Sequence, residues 1–145
     1  MKNLLPVLAV MILLFTTVTA GDIRLENSDF TTVAYIRDNG RIENASFEIL
    51  GYIKEDGRIE DDSFHTLGYI TEDGIIQDAD YEELFSLDNS GRITDDRFMK
   101  VAEIQSDGTV ENNRFQVILY AEGTHAGLQR RIAVFIVFFS DLLEE

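Results

Sequence analysis

Gly40, Gly57, Gly74, Gly91 and Gly108 stand seventeen residues apart. A fixed period of that size means one small unit repeated, and such a unit cannot bury an apolar face unless its neighbours stack on it. Other columns keep the same spacing. Asn39, Asp56, Asp73, Ser90 and Asp107 precede the glycines. Ile42, Ile59, Ile76, Ile93 and Val110 follow them by two, and Ile36, Ile53, Ile70, Leu87 and Ile104 precede them by four. An aromatic follows each glycine by seven: Phe47, Phe64, Tyr81, Phe98 and Phe115. Phe30 and Leu25 extend two columns upstream, where Ile23 occupies the glycine slot. Every repeated position has a structural reason to repeat, so function belongs to positions that break the pattern or to a surface that the copies share.

Asp-Gly or Asn-Gly between short apolar runs signals a β-hairpin. A two-residue loop at Asp56-Gly57 would pair Ile53 with Glu60 and Lys54 with Ile59, setting apolar against charged side chains. A three-residue loop pairs Ile53 with Ile59, and likewise Ile36 with Ile42, Ile70 with Ile76, Leu87 with Ile93 and Ile104 with Val110. One geometry thus serves all five copies, and register is fixed by such matching. The five glycines then need positive φ, which costs a side-chain-bearing residue roughly 1 kcal/mol or more.

Asn44, Asp61, Asp78, Asp95 and Asn112 close the second strand of each copy and suit a turn, since Asx side chains bond their own backbone. The aromatic three residues on is expected to drop back into the core. Ala34, Gly51, Gly68 and Ala102 share a column with Phe85, which points to a crowded place near a common axis. Tyr35, Tyr52 and Tyr69 follow, but that column becomes Ser86 and Glu103, so the later copies diverge on one face.

Residues 1–20 read as a secretory signal peptide: Lys2, an apolar run from Leu4 to Phe15, and Val18-Thr19-Ala20 before the expected cut. With no cysteine there, a lipoprotein attachment site is not expected. A single domain over 21–145 would remain. Its formal charge is −16, against −15 with Lys2 included. That balance argues against nucleic acid and anionic membranes as partners. Zero cysteines excludes disulfides and thiolate chemistry. From Ile132 to Phe139 the chain is wholly apolar, too short to span a bilayer as a helix. Its β-branched and aromatic content predicts a buried C-terminal strand running through or beneath the repeats.

The turns Asn39-Gly40-Arg41-Ile42, Asp56-Gly57-Arg58-Ile59 and Ser90-Gly91-Arg92-Ile93, the strict spacing and the terminal aromatic segment give the chain a resemblance to bacterial secreted proteins described as five-fold β-flowers. Ile75 and Thr109 depart from the turn arginine. The resemblance covers nearly all of residues 21–145 and implies a closed arrangement of hairpins; it implies no activity. The expected fold is all-β, with five seventeen-residue hairpins closed into a pseudo-five-fold ring. An open β-solenoid is the alternative.

Catalysis needs unlike groups converging on one point. His65 and His125 are the only histidines, and no nucleophile elbow, phosphate loop, histidine metal motif or cofactor motif is present. Glu60, Asp61 and Asp62 form the densest acidic cluster, but a glycosidase would need two carboxylates set apart in a cleft, and these acids recur as turn formers. A ring of Asn44, Asp61, Asp78, Asp95 and Asn112 could offer oxygens to calcium; self-capping of each turn explains the same residues. Asn44-Ala45-Ser46 matches a glycosylation sequon inside a repeated turn. Tyr35, Tyr52 and Tyr69 with Arg41, Arg58 and Arg92 could make a recognition surface for a protein or glycan at the cell surface, or arginine stems could simply pack on tyrosine rings. The expected function is a non-catalytic, secreted or periplasmic binding or structural module of the cell envelope. A carboxylate-dependent hydrolase and a calcium-dependent adhesion module are the alternatives.

Overall fold

The computed structural model describes residues 21–123 and 127–144; the expected signal peptide and His125 lie outside these. Twelve short strands follow in order: β1 Ile23–Glu26, β2 Thr32–Ile36, β3 Arg41–Asn44, β4 Ile49–Ile53, β5 Arg58–Asp61, β6 Thr66–Ile70, β7 Ile75–Asp78, β8 Glu83–Leu87, β9 Arg92–Asp95, β10 Lys100–Ile104, β11 Thr109–Asn112 and β12 Val117–Glu122. Each pairs antiparallel with the next, and β12 pairs with β1. The sheet is therefore a closed barrel and not an open solenoid, and closure leaves no strand edge to aggregate. Five glycine-turn hairpins are present, but they do not close on one another. The seam is made by β12 and β1, which complete a twelve-strand wall.

Glycine-turn register follows the isoleucine columns: Ile36 faces Ile42, Ile53 faces Ile59, Ile70 faces Ile76, Leu87 faces Ile93 and Ile104 faces Val110. At Gly57 the loop is closed by Lys54 N–H to the Arg58 carbonyl at 2.8 Å and Gly57 N–H to the Lys54 carbonyl at 3.0 Å. Two facts require glycine there. Its φ is +89°, and a Cβ would lie 2.2 Å from the Ile70 carbonyl oxygen of the neighbouring hairpin.

The opposite rim repeats the same loop with an aromatic in the glycine's place. Asn44 N–H bonds the Glu48 carbonyl at 2.9 Å and Phe47 N–H bonds the Asn44 carbonyl at 3.0 Å. Phe30, Phe47, Phe64, Tyr81, Phe98 and Phe115 all have φ between 60° and 67°. The aromatics do not drop into the core; they are 61–87 % exposed. A side chain attached at a left-handed residue is thrown outward over the wall, away from the lumen.

The C-terminal segment is also different from expectation. It is not a strand but a helix, α1, Leu128–Phe138. A closed wall offers no free edge, so a strand inside it would leave its N–H and C=O groups unpaired, whereas a helix satisfies its own. Twelve strands enclose more space than wall side chains alone fill, and α1 occupies it. Ile132, Ala133, Val134, Phe135 and Ile136 are buried in one cluster with the wall's inward-facing Ile36, Ile42, Ile59, Ile76, Ile93 and Ile104. Each large buried apolar side chain stabilises the fold by about 1.5–3 kcal/mol. The small-residue column serves this helix end. A Cβ at Gly68 would come within 2.6 Å of the Phe138 ring, and one at Gly51 within 2.7 Å of Phe139. At the glycine rim, polar side chains of the first helical turn tie α1 to wall carbonyls: Gln129 Nε2 donates to Ile104 O at 2.9 Å, Arg130 Nη1 to Thr71 O at 2.7 Å, and Arg131 Nη1 and Nη2 to Arg37 O and Asp38 O at 2.6 and 2.9 Å.

Candidate functional site

With the lumen filled by α1, the exposed side chains are those of the two rims and of the outer face. Alternation along each strand turns one side chain in two outward. The cross-strand neighbours of this outer belt run, in order around the wall, Arg24–Tyr35–Glu43, Arg41–Tyr52–Glu60, Arg58–Tyr69–Gln77, Ile75–Ser86–Thr94, Arg92–Glu103–Glu111 and Thr109–Tyr120–Glu26. Tyr52 and Tyr69 thus stand beside Arg41 and Arg58, across the strand pairs that the aromatic turns join. Tyr35 has Arg24 as its neighbour, and Arg92 faces Glu103 with no tyrosine beside it.

The tyrosines are spent on the exposed aromatics. Each lies under the ring twelve residues later: Tyr35 under Phe47 with centroids 5.3 Å apart, Tyr52 under Phe64 at 5.2 Å, and Tyr69 under Tyr81 at 4.6 Å. Across the seam, Tyr120 lies under Phe30 at 4.7 Å. All four pairs are nearly parallel, within 12–19°. The Tyr69 and Tyr81 hydroxyls also share a hydrogen bond at 3.2 Å, and this link holds the Tyr69 phenol above its ordinary pKa. In the fifth copy Glu103 replaces tyrosine, and Lys100 takes the cover instead: its Nζ sits 4.4 Å from the Phe115 centroid and bonds Glu103 at 3.1 Å. Cation–π contacts of this kind are worth about 0.5–1 kcal/mol at exposed sites.

The fourth copy has neither. Ser86 stands where tyrosine would, flanked by Ile75 and Thr94 in place of charged neighbours. Phe98 is 87 % exposed, and among the described residues no ring or cation stacks on it. Met99 beside it is 63 % exposed. Sequence reasoning saw the tyrosine column break at Ser86 but missed Phe98 and Met99, because it placed the aromatic column inside.

Two carboxylates of the belt are likewise committed. Glu43 and Glu60 are buried; Glu43 meets Arg41 Nη2 at 2.6 Å and Arg37 Nη2 at 2.7 Å, and Glu60 meets Arg58 Nε at 3.0 Å, not aligned for a hydrogen bond. The Asx ring caps its own turns. Asp61 Oδ1 accepts Ser63 N–H at 2.9 Å and His65 N–H at 2.8 Å, and Asn44, Asp78, Asp95 and Asn112 repeat the pattern. Asn27 adds a sixth copy. Exposed His65 sits beside this cap, with Nδ1 3.2 Å from Asp61 Oδ2. Among the described residues no three His, Asp or Glu side chains converge as metal ligands would.

Among the described residues no helix is long and apolar enough to cross a membrane. The strands, four to six residues each, also fall short of the roughly 9–11 that a membrane-crossing strand requires, and the outer belt carries arginine and glutamate.

The model of one family, described as 5-fold beta-flower protein, matches residues 16–139. No curated protein and no solved structure matches the chain.

Proposed function

The chain belongs to the 5-fold beta-flower family, and from that premise we propose that it is an exported, non-catalytic binding module that meets its partner through the aromatic turns of its outer wall. The observation that carries this reading is the set of six exposed aromatics held at left-handed φ. A bulky residue there costs about 1–2 kcal/mol, and strain of this kind concentrates at functional positions. Stacking on tyrosine repays some of it in four copies. Among the described residues no ring or cation stacks on Phe98 to repay it. Export to a secreted or periplasmic location is supported by Lys2, the apolar run and the small residues before Gly21.

A carboxylate hydrolase has less support, because the buried acids are paired with arginines and the centre of the barrel is packed with apolar side chains. Calcium-dependent adhesion has less support too, because one oxygen of each Asx ring member is occupied by its own turn. The test is retention from an envelope extract on immobilised protein, comparing the wild type with a folded variant carrying asparagine at Phe47, Phe64 and Phe98. A component held by the wild type and released by the variant is the expected result. Identical retention by the two would overturn the reading.

A further inference from the structure

The fourth copy describes its own missing part. In four copies a tyrosine ring fills the space between the exposed aromatic and the strand beneath it, parallel to that aromatic and 4.6–5.3 Å from it. The fifth copy fills the same space with Lys100. In the fourth, the turn keeps its geometry, with Phe98 at φ 61°, but the strand supplies only Ser86. The flanking positions have changed with it. Ile75 and Thr94 replace the arginine and the glutamate or glutamine of the first three copies, so both cross-strand neighbours of Ser86 are uncharged.

Resting on the binding-module reading above, we infer that this position is a slot for an aromatic side chain of a polypeptide partner, which stacks under Phe98 as tyrosine does elsewhere on the wall. The internal copies fix the chemistry of the occupant: a flat ring of tyrosine or phenylalanine size, entering over Ser86. Met99, next in the chain and exposed, carries a polarizable thioether, and thioether–aromatic contacts favour such a ring. Aromatics and methionine are enriched in protein interfaces. A sugar ring would find fewer partners, since Ser86 and its cross-strand neighbours offer two hydroxyls to its several hydroxyl groups. The Arg–Tyr–Glu belt of the other copies would serve a sugar better, yet there the space is already filled.

The test is titration of the purified protein, labelled with nitrogen-15, with N-acetyl-L-tyrosinamide, N-acetyl-L-leucinamide and N-acetylglucosamine. The tyrosine derivative is expected to move the amide signals of Ile75, Ser86, Thr94, Phe98 and Met99 and to leave the Phe47 and Phe64 turns still. Phe98→Asn, which suits a left-handed position, should weaken that binding at least tenfold, and Ser86→Tyr should abolish it by filling the slot from within. No movement at these amides, equal movement by the leucine derivative, or equal movement at every aromatic turn would overturn the slot. Movement by the sugar alone would overturn an aromatic side chain as occupant and leave a binding module standing. A partner retained from the extract that ignores Ser86→Tyr would also overturn the slot while sparing the broader reading, which fails only on its own triple-variant comparison.

Discussion

Tyr120 stacks on Phe30 with ring centroids 4.7 Å apart, and this pair fastens the seam where the last strand of the wall meets the first. The seam has no turn to hold it, so side-chain contacts carry more of its stability than at any glycine hairpin. Arg24 and Glu122 form an ion pair across it, but exposed pairs contribute at most about 1 kcal/mol. Tyr120→Ala should therefore cost about 1–3 kcal/mol and raise hydrogen exchange selectively in β1 and β12. Uniform loss of protection around the barrel would contradict a local fastening.

Gly57 is a more severe test of the wall, because strain and collision coincide. Gly57→Val should destabilise the protein by at least about 2 kcal/mol, whereas Lys54→Val, at an exposed position of the same turn, should stay within about 0.5 kcal/mol. Chemical denaturation of the two variants side by side checks this; similar midpoints would refute the account of the turn.

Asparagine tolerates left-handed φ better than phenylalanine. At Phe98 the substitution relieves strain and removes no stack, so Phe98→Asn should stabilise by about 0.5–1 kcal/mol. At Phe47 the same change forfeits the contact with Tyr35, worth about 0.5–1.5 kcal/mol. Phe98→Asn should accordingly melt above Phe47→Asn, and the reverse order would show that Phe98 has packing of its own.

Acid should weaken the turns. Asp61 is held below the ordinary 3.8, chiefly by the His65 backbone N–H; Asp88 is lowered chiefly by the Ser90 hydroxyl and Asp107 by the Thr109 backbone N–H. Folded-state values lowered in this way add stability that is present above about pH 3.8 and is lost as pH falls through the folded values. Asp61→Asn, which copies Asn44 and Asn112, keeps the cap and removes its titration. Between pH 5 and pH 3 the variant should lose less stability than the wild type, measured by urea unfolding at each pH.

Arg131 joins the helix to the opposite chemistry of the rim. Arg131→Met keeps the apolar stem but strips hydrogen bonds from the carbonyls of Arg37 and Asp38, at a cost of about 1–3 kcal/mol. Faster exchange at the β2–β3 turn should accompany the loss, and an unchanged turn would show that water replaces the guanidinium there.

Much of the wall was legible because glycine spacing and the isoleucine columns admit one register. Leu25 and Phe30 even marked the sixth aromatic turn, though the seam between β12 and β1 has no local signature. The helix was not legible. Ile132 to Phe139 is apolar on all sides, and a buried strand and a buried helix have the same pattern over so short a run; only closure of the wall decides between them. The outward aromatics escaped for the opposite reason. Phe47 and its equivalents obey the repeat as core residues would, and nothing in hydrophobicity distinguishes a core ring from one stacked outside. Of the candidate surface, the arginines and tyrosines were legible as residues, but which stands beside which depends on the register across the aromatic turns, and the uncovered Phe98 needed the neighbour that Ser86 fails to supply.

The seam also divides the barrel in time. Hairpin pairings join residues close in the chain and can form as each is made, but Arg24 and Glu122 are 98 positions apart, and the core of the barrel is supplied by a segment later still. Nearly every apolar residue of the inner wall must wait, uncovered, for α1. Folding rates fall as contacts become less local, so the repeats, for all their independence on paper, reach the native state only when the end of the chain arrives to fill and lock them.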